Sequence, residues 1–259
     1  MKHSTLTKYI LYCILDTTFS VRHISVKNSV ERLHSFRVSL RLIRSLLHLY
    51  IDERALFPAP LKTFLKATNF VRELDVLLLS FHQKSSSQRV IKRLTALRNE
   101  HYKILFTKES TMQLLQELDT FYDLIANLNP TFTNDYLLQT AYEYYEKSLK
   151  KYTALTPSAS QKELHSLRIR FKISRYASDF LHDSGLHDSD ENIEAFKGIQ
   201  DQLGEIHDLF NQITLLETLQ EQNPSIGLKK YVVECKKELK RSMNALMMSN
   251  TNQGMVLAR

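Results

Sequence analysis

The sequence predicts an all-α protein, and three observations predict it. Gly and Pro number only 5 each, where average usage over this length gives about 18 and about 13. Strand-rich folds need turn residues at short intervals, so this scarcity argues against a β protein. Apolar residues recur at helical spacing along most of the chain. Two helical segments also recur, in the same order, in each half. With 259 residues, 43% hydrophobic and 24% charged, the chain is long enough to bury a sizeable core and too apolar to be disordered.

The elements follow in order. A first helix is predicted from Thr5 to Thr18. Its apolar stretch YILYCIL (Tyr9 to Leu15) is shorter than the roughly 20 residues a bilayer takes. No small-residue cleavage site follows it, so it reads as a core helix face of a soluble, cytoplasmic protein. A long second helix runs from about Ser25 to Asp52. Pro58 and Pro60 open a third, which ends near the serine run Ser85 to Ser87. Helices follow over Val90–Phe106, Met112–Leu128 and Asn134–Tyr152. After Pro157 another runs through His182. Gly185 and the polar stretch DSDEN form a loop, and Asp190 is placed to cap a helix through about Gln220. Asn223, Pro224 and Gly227 precede a last helix over Leu228–Met248. Two helical halves are expected, 1–108 and 109–250, with a flexible tail at 251–259.

The repeat is the informative feature. HSFRVSLRLIR (His34 to Arg44) matches HSLRIRFKISR (His165 to Arg175) at a constant offset of 131 residues. His34 meets His165, Arg37 meets Arg168, Arg41 meets Lys172 and Arg44 meets Arg175. Downstream, LKTFLKATNFVRELD (Leu61 to Asp75) aligns with FKGIQDQLGEIHDLF (Phe196 to Phe210). Lys62 meets Lys197, Asn69 meets Gly204, and Glu73 meets Asp208. Two units in one order predict a duplicated architecture with approximate two-fold symmetry.

At about 100° per residue, His34, Arg37, Arg41, Arg44 and His48 fall in a stripe about 80° wide. Phe36, Val38, Leu40, Leu42, Ile43, Leu46, Leu47 and Leu49 fill the rest of the helix. A surface helix shows the reverse, a narrow apolar stripe and a broad polar face. This helix is therefore expected to be buried nearly all round, with its cations in one seam. The second copy repeats the pattern: Leu164, Leu167, Ile169, Phe171, Ile173, Ala177 and Phe180 flank His165, Arg168, Lys172 and Arg175. Buried charge needs acid partners or a solvated groove. Glu73, Asp75 and Asp208 are the plausible acids, too few to balance both seams together with Lys62, Lys66, Arg72 and Lys197. A net positive channel is left, and seam positions three, four and three apart cover about 15 Å. Arginine forks and lysine point charges in such a row suit successive phosphates of a linear polyanion.

At these residues the chain resembles the CHAD family, the conserved histidine α-helical domain. LHSFRVSLRLIRSLL, LKTFLKATNFVRELDVLL, LHSLRIRFKISRYASDFL and FKGIQDQLGEIHDLF carry the resemblance, from about Val30 onward. The resemblance implies two antiparallel helical bundles related by a pseudo-two-fold axis, with a basic central cavity. It also implies binding of inorganic polyphosphate and association with polyphosphate granules. Carried over, the binding residues are His34, Arg37, Arg41, Arg44, Lys62, Lys66, Arg72, His165, Arg168, Lys172, Arg175 and Lys197. No catalytic residue, metal site or cofactor is implied, and no membrane partner. The chain departs from the family pattern where Leu42 and Ile173 replace one of a basic pair. Asp179 holds the position equivalent to His48, and Asn69 stands where glycine is usual.

Other readings weigh against this one. The arginines are placed to be locked in ion pairs with Glu73, Asp75 and Asp208, and His34 and His165 to pack rather than touch ligand. The net charge of +7 and the basic groove also suit RNA. Base stacking, however, needs aromatics among the cations, and the seams contain none. A metal-dependent phosphohydrolase is the enzyme alternative, with His182-Asp183, His187-Asp188 and His207-Asp208 as dipeptides to examine. Glu31 and His34 match one half of a di-iron motif whose second copy is missing. Some family relatives add a triphosphatase barrel, but no E-x-E-x-K run occurs here. Lys229, Lys230, Lys236, Lys237, Lys240 and Arg241 read as a solvated face. Cys13 and Cys235 stand in no redox or metal spacing.

Overall fold

The computed structural model describes the chain except residues 1–2, 25–28, 84–87, 129, 131, 188–189, 223, 225 and 258–259. Among the described residues every regular element is an α-helix. In chain order these are α1 (Thr5–Arg22), α2 (Ser29–Tyr50), α3 (Glu53–Leu56), α4 (Ala59–Ala67), α5 (Asn69–Gln83) and α6 (Gln88–Leu105). They are followed by α7 (Lys108–Asn127), α8 (Asn134–Thr153), α9 (Gln161–Asp183), α10 (Asp190–Gln222) and α11 (Ile226–Leu257). The chain forms two compact units, Met1–Leu137 and Leu138–Arg259. The predicted start at Ser25 and the serine run 85–87 lie outside the described residues, as does part of the DSDEN loop.

In the first unit α1 packs on α2 and α7, α2 on α3 and α5, α4 on α7, and α5 on α6. Ser4 starts α1 by accepting the Thr7 N–H. Ile10, Leu11, Cys13 and Ile14 of the YILYCIL stretch are buried, and Tyr12 and Leu15 are exposed. Among the described residues no helix is long and apolar enough to cross a membrane. On α2, Leu33, Phe36, Leu40, Ile43 and Leu47 are fully buried, at alternating three- and four-residue steps that keep them on one face. Phe36 meets Phe64 edge-on, and Phe64 meets Phe106 likewise.

Where a single helix was expected after Pro58, the chain builds α4 and α5, interrupted at Thr68. The cause is tertiary. The Leu65 carbonyl receives the Thr68 hydroxyl and a guanidinium N–H of Arg37, both at 2.9 Å. Side-chain donors thus occupy the acceptor of α4's last turn. Arg98 Nε on α6 donates to Asp75 on α5 at 2.8 Å, with both side chains buried. That buried ion pair fastens α5 to α6.

In the second unit α9 packs on α10, and α10 on α11. Tyr152, Leu164, Leu167, Phe171, Ile199, Leu203, Ile206 and Leu246 make its core. Ser160 and Glu163 form a capping box that starts α9. Gly185, at φ 66°, ends it. There the Leu186 N–H reaches Leu181 O and the Gly185 N–H reaches His182 O, a Schellman closure that needs the left-handed region. The last helix extends to Leu257, so the tail expected to be flexible from residue 251 is helical through residue 257. Asn250 is buried there and donates to the Leu155 carbonyl at 3.1 Å.

Candidate functional site

The two seams occupy corresponding positions, α2 with α4 and α5 in the first unit, α9 with α10 in the second. In the first, Arg37 is only 4% exposed. Its Nη1 donates to Leu65 O and the Thr68 hydroxyl, and its Nη2 to Asn69 Oδ1 at 2.7 Å. Burial, with Arg41 and Arg72 beside it, pushes this guanidinium down to about 9, still charged at neutral pH; Glu73 and Asp75 oppose the shift. The charges of Arg37, Arg41 and Arg72 therefore converge where α2 faces α5. His34, Lys62 and Lys66 are exposed around them, and Arg41, Arg72 and Glu73 are half-buried.

Further along α2 the seam changes character. Arg44 donates from both Nε and Nη2 to Glu53 Oε1 and lies over the Phe57 ring, 5.4 Å from its centroid. His48 Nδ1 stands 3.9 Å from the other Glu53 oxygen. Glu53 was not among the acids expected to balance the seam. It sits at the start of α3, whose N-cap Asp52 accepts the Arg54 and Ala55 N–H groups. Asp75, which was expected to serve the seam, acts on Arg37 and Arg72 through its charge but gives its hydrogen bond to Arg98.

The second seam differs from the first around its leading arginine. Position 203 is Leu and position 204 is Gly where the first unit has Thr68 and Asn69, so these two side chains offer Arg168 no acceptor. Its side chain is 14% exposed, and its Nη2 lies 3.9 Å from Asp208. Lys172 is half-buried, and His165 and Lys197 are exposed. Arg175 pairs with Asp179, one turn on, at 3.5 Å and lies over the Tyr176 ring. That acid was visible in the sequence as a departure from the pattern, at the i+4 spacing that pairs residues on a helix.

One residue that the sequence offered only as part of a His-Asp dipeptide joins this seam. His207 of α10 faces His165 of α9, with Nδ1 to Nδ1 at 3.3 Å and ring centroids 4.8 Å apart. Its Nε2 lies 3.2 Å from Asn211 Nδ2. The signal for it was present: in the aligned segments His207 stands opposite Arg72.

The remaining singled-out residues lie elsewhere. Tyr144 lies beneath Arg170, and Tyr145 packs at the second core's edge. Tyr176 is buried and Tyr142 exposed. The lysines of α11 are exposed, with Lys236 bound to Glu217 at 2.7 Å. His182 Nδ1 is 3.6 Å from Asp183 at the exposed end of α9. Among the described residues no group of three or more His, Cys, Asp or Glu is placed to hold a metal ion. Asp188 lies outside the described residues. Cys13 and Cys235 are buried free thiols.

A family model, the CHAD domain, matches residues 20–217 of the chain. Among solved structures, the crystal structure of the CHAD domain from the plant Ricinus communis is similar, with a TM-score of 0.70. The alignment has 19% sequence identity and covers 95% of this chain and 86% of that one, a likeness of fold. No curated protein matches the chain.

Proposed function

The chain belongs to the CHAD-domain family, and from that premise we propose that it is a non-enzymatic binder of inorganic polyphosphate, acting through its two cationic seams. The observation that carries the reading is the convergence in the first unit. Arg41 and Arg72 lie close enough to Arg37 to depress its pKa, while Lys62 and Lys66 stand exposed nearby. Holding like charges together costs free energy that a polyanion recovers by neutralising them. In the second unit Arg168, Lys172, Lys197 and His165 make the equivalent group.

The phosphate contacts divide by environment. Arg37 shapes the seam floor, because its donors are directed into α4 and α5. Arg44 and Arg175 lie at ends already occupied by Glu53 and Asp179. The principal contacts are Arg41, Lys62, Lys66 and Arg72 in one unit and Arg168, Lys172 and Lys197 in the other, with His34 and His165 at the start of each row. A bare phosphate chain suits these seams better than RNA does. The aromatics beside the cations, Phe57 and Tyr176, are buried, and base stacking needs an exposed ring. We place the protein in the cytoplasm, on polyphosphate granules.

Titration with long-chain polyphosphate, with RNA as competitor at equal phosphate concentration, tests the reading. Saturable binding that RNA does not displace is the expected result. Displacement by RNA would move the assignment to a nucleic-acid binder. Metal-dependent phosphate release, lost on His182→Ala or Asp183→Ala, would make the protein an enzyme.

A further inference from the structure

We propose that His207 is a further polyphosphate-contacting residue and that the His165–His207 pair couples the second seam's grip to proton uptake. This rests on the reading of the seams as polyphosphate sites. The aligned segments put His207 where the first unit has Arg72. One seam therefore carries a permanent cation at this place, and the other carries an imidazole that is charged only when protonated.

With Asn211 presenting its amide nitrogen, one arrangement of protons satisfies both contacts. Asn211 Nδ2 is a donor only, so His207 Nε2, at 3.2 Å, accepts from it. The His207 proton is then on Nδ1, which donates across 3.3 Å to Nδ1 of His165. His165 is left with its own proton on Nε2. Both rings are neutral in this relay. Two imidazolium ions would instead set N–H against N–H across the same gap.

One extra proton fits without breaking the pair. His207 Nε2 takes it, Asn211 turns its amide to present oxygen, and the Nδ1–H···Nδ1 bond stays. The pair thus has room for one extra proton and none for a second.

The surrounding charges decide when that proton arrives. Arg168 and Lys172 on α9 and the Asp208 carboxylate on α10 are charged groups beside the pair. Tyr144 of α8 meets α9 at Arg170, on another side of that helix from His165. Polar contacts of α10 with α11 include Glu205 to Ser242 and Gln212 to Cys235, about 140–160° around α10 from His207, and the Glu217–Lys236 ion pair nearly three turns further along. Burial, then Arg168 and Lys172, holds His165 below its ordinary pKa. A polyphosphate laid along Arg168 and Lys172 cancels their repulsion and adds negative charge beside the rings. Protonation then becomes favourable, and by linkage the protonated form binds polyphosphate more tightly.

Calorimetric titration with long-chain polyphosphate, at fixed salt and in buffers of different ionisation heat, tests the coupling. Affinity is expected to rise between about pH 8 and about pH 6, by at most about tenfold per pH unit for a single proton. Net uptake should approach one proton per protein near pH 6. His207→Arg should bind at pH 8 at least as tightly as wild type and lose the proton uptake. His207→Gln should lose the gain in affinity between pH 8 and pH 6. No binding by wild type at either pH overturns the polyphosphate reading itself. Binding with equal affinity at both pH values, or a pH dependence that survives in both variants, overturns the proton coupling alone.

Discussion

Arg37 donates to the Thr68 hydroxyl across 31 residues of chain, joining the first seam helix to the interruption between α4 and α5. The corresponding pair in the second unit, Arg168 and Leu203, has no such bond to make. This one difference separates a guanidinium that organises the backbone from one held near a surface carboxylate.

Arg37 and Arg41 are therefore predicted to behave differently. Arg37→Met removes three hydrogen bonds made by a buried guanidinium, an expected loss of about 2–4 kcal/mol of stability. Arg41→Ala, at a half-buried position, is expected to cost under about 1 kcal/mol while weakening polyphosphate binding. Urea unfolding and binding measured on the same two proteins check this. Loss of binding in Arg37→Met with unchanged unfolding would mean that its guanidinium reaches the ligand instead.

The Asp75–Arg98 pair carries a second stability prediction. Its side chains are 1% and 5% exposed. Arg98→Met alone leaves a buried carboxylate without its counter-ion, which typically costs about 3–5 kcal/mol. The double change Asp75→Leu with Arg98→Met removes both charges and should recover most of that loss. A thermal-melt double-mutant cycle measures the difference. If the single and double variants melt together, the pair is not what fastens α5 to α6.

The helical class and the order of most elements were legible, because periodicity is a local property of the string. Depth was not. The wheel places Arg37 and Arg41 in one stripe, but only the packing of α2 against α4 and α5 buries the first and half-exposes the second. Choice of partner was illegible for the same reason. Asp75 lies on the helix expected to balance the seam, yet it faces α6 and takes Arg98, while Arg44 finds Glu53 beyond a turn. The end of α11 shows local propensity overruled. Ser249, Asn250, Thr251, Asn252 and Gly254 are poor helix formers, and the buried Asn250, bonded to the Leu155 carbonyl, helps hold the chain in register.

Asp208 is the counter-charge whose removal should strengthen binding. It is about half exposed and lies 3.9 Å from Arg168 Nη2, a weak pair worth roughly 0.2–1 kcal/mol. Asp208→Asn is expected to raise polyphosphate affinity by up to about fivefold, with little effect on unfolding. Asp201→Asn, an exposed acid earlier on α10, serves as the control for a general charge effect. Equal gains from both would show that the seam is responding to net charge rather than to this contact.

Salt dependence separates seam contacts from a diffuse positive surface. Each phosphate contact made by Lys or Arg releases condensed counter-ions, so the slope of log K against log salt grows by roughly 0.7–0.9 per contact. Lys62→Ala and Lys197→Ala, one in each seam, should each flatten the slope by about that amount. The α11 lysines offer the comparison. Lys236 is engaged by Glu217, and Lys237 and Lys240 are exposed on the same helix. Lys237→Ala with Lys240→Ala is expected to leave the slope unchanged within error. A loss of slope as large as that of the seam variants would place the phosphate chain on α11 as well, and would reduce the two repeated helices to part of a broader cationic surface.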